Sequence, residues 1–113
     1  ILSVVALLLG AKSAFAVDID ANAIKTAYEN ADLSGVDKSK YYVTSGNVID
    51  DKALQDEIGY DKYDVVVANI IADVIWAISP VVPKQLKKGG VFINCFVSNQ
   101  LFVTGNLSLY IFL

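Results

Sequence analysis

Apolar residues along this chain recur alternately at helical spacing and in short continuous runs. Leu2, Val5, Ala6 and Leu9 lie three or four apart and Gly10 follows, which predicts a helix with one apolar face and a glycine stop. Ser13 to Val17 is a short apolar run that ends at an acidic pair, as a buried strand does. Asp20 is placed to cap a second helix, whose face is Ile24, Ala27, Tyr28 and Ala31 and whose end is Gly35. Lys40 to Thr44 has strand character and leads to the turn residues Ser45, Gly46 and Asn47. Residues 50–57 are polar enough for a loop or a short exposed helix.

The clearest strand is Tyr63 to Asn69, a β-branched run suited to burial on both faces of a parallel sheet. Ile71, Val74, Ile75 and Ile78 mark a helix interrupted near Pro80 and resumed over Val81 to Leu86. Gly89 and Gly90 open a last strand, Val91 to Val97. Strands are therefore expected near 13–18, 40–44, 63–69 and 90–97, with helices between them. That alternation predicts an α/β domain with a mainly parallel sheet and right-handed crossovers. The tail breaks the alternation: Val103 to Leu107 reads as a hairpin turn between two apolar runs.

In open α/β sheets, ligands bind at the carboxyl ends of the strands, which directs attention to four short segments. Asp18 ends the first strand, where an acidic residue can accept hydrogen bonds from both ribose hydroxyls of an adenosine cofactor. It can equally do no more than solvate a strand end. Asn47 can bond an adenine edge or simply serve its turn. Asn69 ends an apolar strand, where a buried amide without a partner costs about 1–3 kcal/mol. Capping the following helix is its alternative role, and the two can coexist.

Composition narrows the chemistry. The chain has 113 residues, 55% hydrophobic and 19% charged, which suits one buried core and not a disordered chain. A net charge of −3 provides no overall field for nucleic acid or an anionic membrane. The one basic cluster along the chain, Lys84 to Lys88, is short. There is no His, which removes imidazole bases and histidine metal ligands, so no metal site is expected. The single Cys95 cannot form an internal disulfide and reads as a small core residue of the last strand. That usage is consistent with a cytoplasmic protein. Ile1 to Leu9 followed by Ala14-Phe15-Ala16 imitates a secretory signal, but no basic segment precedes it and Val17-Asp18-Ile19-Asp20 continues a strand. No apolar run reaches the roughly 20 residues of a membrane span.

Two stretches carry a family resemblance. Val17-Asp18-Ile19-Asp20-Ala21-Asn22-Ala23-Ile24, with Glu29-Asn30-Ala31 and Gly35-Val36, is similar to the segment after the cofactor loop of class I methyltransferases. Tyr63-Asp64-Val65-Val66-Val67-Ala68-Asn69-Ile70-Ile71-Ala72 is more specific. It resembles the ribosomal protein L-eleven methyltransferases, as does Leu86-Lys87-Lys88-Gly89-Gly90-Val91. The resemblance covers about residues 1–94. It implies a Rossmann-like sheet and transfer of methyl groups from S-adenosylmethionine to amino groups of a ribosomal protein. It also implies that Asp18 holds the ribose, Ile19 packs on adenine, Asn47 sits near the adenine edge and Asn69 lines the transfer site.

Against that family the chain is expected to be a fragment. The first strand and its glycine-rich loop are absent, residues 1–97 form a partial catalytic domain, and 98–113 form an atypical apolar tail. The missing strand would leave Ser13–Val17 and Tyr63–Asn69 with unpaired edges, a route to self-association and poor solubility. Methyl transfer by this chain alone is accordingly not expected. Two rival functions remain at this point: a non-catalytic remnant or binding fragment, and a fragment of a nicotinamide-dependent dehydrogenase, which also places an acidic residue after its second strand.

Overall fold

The computed structural model describes residues 1–70, residues 72–94 and the backbone of 109–112. Its frame is a sheet of five strands: β1 (Ala14–Asp18), β2 (Tyr41–Ser45), β3 (Tyr63–Ala68), β4 (Leu86–Asn94) and β5 (Leu109–Phe112). The spatial order is β2-β1-β5-β3-β4, and every adjacent pair is parallel. The helices between them are α1 (Leu2–Leu8), α2 (Ala23–Leu33), α3 (Lys52–Ile58), α4 (Ala72–Ile78) and α5 (Val82–Gln85). A 3-10 turn, Lys38–Lys40, leads into β2. This is the expected α/β architecture.

Strand alternation builds a core on each face of the sheet. Val17 of β1 and Val66 and Ala68 of β3 point to one side and meet Leu54, Ile58, Ile78 and Val82 of α3, α4 and α5. Ala14 and Ala16 of β1 point the other way and meet Val4 of α1 and Ala31 of α2. Val65 and Val67 join Ala6 on that same side. Small alanines in β1 let α1 and α2 approach the sheet closely. The continuous apolar run of β3 follows from burial on both faces.

The largest departure from expectation is β5. The gap foreseen between the strands at 13–18 and 63–69 is filled by Leu109–Phe112, which pairs with β1 from Ala14↔Leu109 to Val17↔Phe112. It pairs with β3 from Val65↔Leu109 to Ala68↔Phe112. The edges on which self-association was expected are therefore closed. The physical reason is plain: two parallel apolar strands with free ladder groups accept any extended segment that can run parallel between them. The apolar tail contains one. The turn expected at Val103–Leu107 and the strand continuation through Cys95–Val97 lie outside the described residues.

Smaller corrections concern faces and boundaries. α1 forms, but its buried residues are Ser3, Val4 and Ala6, whereas Leu2, Val5 and Leu9 are 37%, 44% and 80% exposed. Of the apolar stripe read from spacing only Ala6 therefore faces inward. Residues 52–58 are a true helix, capped by Asp51, whose Oδ1 accepts from the Leu54 N–H at 3.0 Å. Leu54 and Ile58 bury, so that helix is amphipathic and not merely exposed. Asp20 is not the cap of α2. Asn22 holds that position, and Asp20 Oδ1 accepts from the Asn22 N–H at 2.9 Å in the turn before it. β4 starts four residues before Gly90, because Leu86 already pairs with Tyr63; the register then shifts, with Gly89 at φ +81°.

Candidate functional site at the carboxyl ends of the strands

The chain runs outward from β1 to β2, returns across the sheet to β3, and runs outward again to β4. The strand order therefore reverses between β1 and β3. In such sheets the crevice at the carboxyl ends of the strands flanking the reversal is the ligand site. Asp18 is the last residue of β1 and Asn69 follows the last residue of β3. Val17 and Ala68 share a register row through Phe112 of β5, so Asp18 and Asn69 stand one step beyond that row on either side of β5. Two strand spacings of about 4.8 Å put their backbones roughly 10 Å apart.

The Asp18 carboxylate is half-buried. Its Oδ1 accepts from the Asp20 N–H at 2.9 Å, which fixes the carboxyl plane at the rim. The Asp18 carbonyl accepts from the Gly46 N–H at 3.0 Å, so the ends of β1 and β2 are tied together. Gly46 is needed there: a Cβ would lie 2.7 Å from Leu54 Cδ2, and its φ is +157°. Between the two aspartates, Ile19 is 78% exposed. Water is a poor surrounding for an isoleucine held on so short a turn, and the position is free to cover a flat apolar ligand.

Asn47 is exposed, and its side chain is engaged locally. Oδ1 accepts from the Ile49 N–H at 3.1 Å and Nδ2 donates to Asp50 Oδ2 at 3.2 Å. Its turn role is thus realised, and it is brought beside Asp18 through Gly46. Asn69 is exposed at the mouth of the reversal, so the cost foreseen for a buried amide does not arise. The four predicted residues thus share one rim, with Asp18, Ile19 and Asn47 grouped on one side and Asn69 across β5.

An open cleft of about 370 Å³ adjoins this rim on the α2 side, lined by Ile1, Asp20, Asn22, Thr26 and Asn30 among others. Sequence reasoning passed over its polar wall. Asn22, Thr26 and Asn30 recur every four residues and so form a stripe on one face of α2, a signal visible in the spacing. Among the described residues of the predicted segments, Asp20 alone lines this cleft. Elsewhere, Lys52 and Asp56 of α3 form a hydrogen-bonded cluster with Tyr60, just beyond its end. The Asp56 and Tyr60 oxygens hold the Lys52 ammonium protonated and push its pKa up, the opposite of a general base.

Comparison with known proteins agrees with the resemblance read from the residues. The chain is 50% identical over 94 residues to a ribosomal protein L11 methyltransferase of Lachnospira eligens, covering 83% of this chain and 30% of that protein. It is 47% identical over 94 residues to the one of Agathobacter rectalis, covering 83% and 29%. For Acetivibrio thermocellus the identity is 47% over 93 residues, covering 82% and 27%. The chain thus spans about 30% of the length of these relatives. No solved structure gives a significant match. Residues 1–98 match the family described as ribosomal protein L11 methyltransferase (PrmA), which displaces the dehydrogenase reading: the chain belongs to the ribosomal protein L11 methyltransferase family.

Proposed function

We propose that this chain carries the nucleoside-holding part of a Rossmann-like, S-adenosylmethionine-dependent methyltransferase whose substrate is ribosomal protein L11. The observation that carries the reading is the pair Asp18–Ile19 at the point of strand reversal. A half-buried carboxylate there has one oxygen oriented by the Asp20 N–H, and an isoleucine 78% exposed follows it. A ribose with two adjacent hydroxyls attached to a flat base matches a carboxylate acceptor beside an exposed apolar side chain. Asp18 accepts from the ribose, Ile19 packs against adenine, and Asn47 contributes an amide at the adenine edge.

When bound, S-adenosylmethionine supplies a sulfonium methyl, which passes to nitrogen as the amine lone pair forms the N–C bond and the S–C pair leaves to sulfur. Asn69 stands across β5 from Asp18, and its amide oxygen can accept from the incoming amine N–H and aim the lone pair. Orientation of this kind is worth on the order of 7–11 kcal/mol in well-positioned reactions. The rim near these groups also carries Asp20, Asp50, Asp51 and Asp73, a field that attracts a cationic side chain or a sulfonium.

Calorimetric titration with S-adenosylmethionine tests the reading. Asp18→Ala should lose most of the binding enthalpy and weaken affinity at least tenfold. Asp20→Ala should act mainly on the turn before α2. Equal affinity in wild type and Asp18→Ala overturns the assignment of the ribose. In the whole-length enzyme, Asn69→Ala should lower kcat and leave cofactor affinity in place, the mark of an interaction made chiefly in the transition state.

A further inference from the structure

The opposite end of the sheet brings together lysines that lie far apart in the chain. In a parallel sheet all strands start at one rim, so residues that precede different strands converge there. Lys12 stands just before β1, Lys38 and Lys40 just before β2, and Lys62 just before β3. Twenty or more residues separate these groups along the chain, and no local basic run announces them. A cleft of about 200 Å³ opens at this rim, lined by Ser13, Lys38, Ser39, Lys40, Tyr42 and Lys62 among others. One wall is aromatic: the Phe15 and Tyr42 rings lie 4.8 Å apart between centroids.

Asp61 directly precedes Lys62 at this rim, and three further acidic groups nearby have partners. Asp32 pairs with Lys38 at 2.7 Å. Asp37 accepts from the Ser39 N–H and hydroxyl, which together with Lys40 lower its pKa. Glu57 accepts from the Tyr42 hydroxyl at 2.7 Å. Among the described residues neither Lys40 nor Lys62 is in an ion pair; the Lys62 ammonium donates to the Ile58 carbonyl at 3.5 Å and lies 5.5 Å from the centre of the Tyr63 ring. The Lys40 and Lys62 ammonium groups, neither in an ion pair among the described residues, thus share a concave site with Ser13, with Ser39, whose hydroxyl donates to Asp37, and with an aromatic wall.

We propose that the cleft formed by Ser13, Lys38, Ser39, Lys40 and Lys62 at the amino ends of β1, β2 and β3 is a binding site for a phosphate group. It lies at the far end of the strands from the methyl-transfer rim and does not rest on that reading. The compact ammonium heads act as point charges for the oxyanion, and the site fits either free phosphate or the phosphate of a nucleotide whose base covers Tyr42. A site on one face is compatible with the net charge of −3: at this rim the carboxylates of Asp32, Asp37 and Glu57 are engaged, and those of the other rim are screened beyond about 10 Å.

The test is a titration of the isotope-labelled full chain, followed by amide resonances at constant ionic strength set with chloride. Its arms are inorganic phosphate, a nucleoside monophosphate and the matching nucleoside. Saturable shifts at Ser13, Ser39, Lys40 and Lys62 with inorganic phosphate are expected. Tighter binding of the monophosphate than of phosphate would identify a nucleotide as the source, and equal binding would identify the free anion. Lys40→Glu with Lys62→Glu should weaken binding at least tenfold, Lys40→Arg should retain it, and Lys25→Glu on α2 should have no effect. Linear shifts that never saturate, or the same curve in the double variant, would overturn the proposal. So would binding of the nucleoside equal to that of its monophosphate, since the phosphate would then contribute nothing.

Discussion

Placing proline in β5 tests the sheet at its most consequential point. β5 lies between β1 and β3, with four register pairs on each side. In a central parallel strand, alternate residues bond to alternate neighbours, so Tyr110 and Ile111 donate to opposite sides. Tyr110→Pro and Ile111→Pro therefore each delete one ladder bond, one toward β1 and one toward β3. A buried carbonyl left without its donor costs about 1–3 kcal/mol, and the proline ring adds a steric cost in the ladder. A domain of this length has on the order of 6–17 kcal/mol of stability in all, so either substitution should remove a large share. Urea unfolding followed by circular dichroism reads the effect directly. Amide exchange should rise along Ala14–Val17 in one variant and Val65–Ala68 in the other. In an exposed tail the same prolines would change stability by no more than about 0.5 kcal/mol. Wild-type midpoints in both variants would refute the placement of β5.

Three further outcomes follow from single residues. Gly46→Ala should destabilise by about 1–3 kcal/mol in urea unfolding, because its Cβ would meet Leu54 Cδ2 at 2.7 Å in the core; a wild-type midpoint would show that Leu54 yields freely. Gln85 is fully buried, and neither end of its amide finds a hydrogen bond among the described residues. Gln85→Leu should therefore raise stability by about 1–3 kcal/mol, and a loss would mean the amide has a partner. Burial pushes the Tyr63 phenol well above its ordinary pKa. Below about pH 10 both folded and unfolded chains keep that proton, and stability is intact. As pH rises further the unfolded chain releases it first, so stability falls. Tyr63→Phe should lose about 1 kcal/mol at neutral pH, where its hydroxyl donates to the Ile58 carbonyl at 2.7 Å, yet decline less steeply above pH 10. An unchanged alkaline slope would show that Tyr63 does not set it.

What the sequence could reveal depended on how local the cause was. Tyr63 to Ala68 is legible because burial on both faces demands an unbroken apolar run, and no helix packs such a run as well. α2 is legible because Ile24, Ala27, Tyr28 and Ala31 recur at its period. α1 misled, because on a seven-residue helix a face is chosen by its neighbours. Val4 packs with Ala14 and Ala16 of β1, Ala6 packs with Val65 and Val67 of β3, and Ser3 is fully buried, leaving Leu2, Val5 and Leu9 outside. β5 was not foreseen, since its partners are roughly 45 and 95 residues away and its four residues carry no period. The lysines before β1, β2 and β3 escaped notice for the same reason. Their meeting is a property of parallel topology and of nothing nearby in the chain.

Folding requirements account for much of the acidic rim, and what they leave over is the more telling part. Every helix after a parallel strand starts at the carboxyl end of the sheet, so its capping and turn residues collect there. Asp51 caps α3, Asp20 holds the turn before α2, and Asn47 closes the turn after β2. These positions would favour Asp or Asn in a sheet with no ligand at all. Ile19 has no such explanation. It lies between two aspartates, 78% exposed, on a turn that any small polar residue would serve with less apolar surface in water. Ile19→Ser should therefore leave the unfolding midpoint within about 0.5 kcal/mol of wild type, since little apolar area is removed from a core. The same change should weaken S-adenosylmethionine binding severalfold, by stripping the surface proposed to cover adenine. Calorimetry on the variant separates the two effects. A marked loss of stability with unchanged affinity would mean that Ile19 serves the fold, and the reading of this rim as a nucleoside site would lose its principal support.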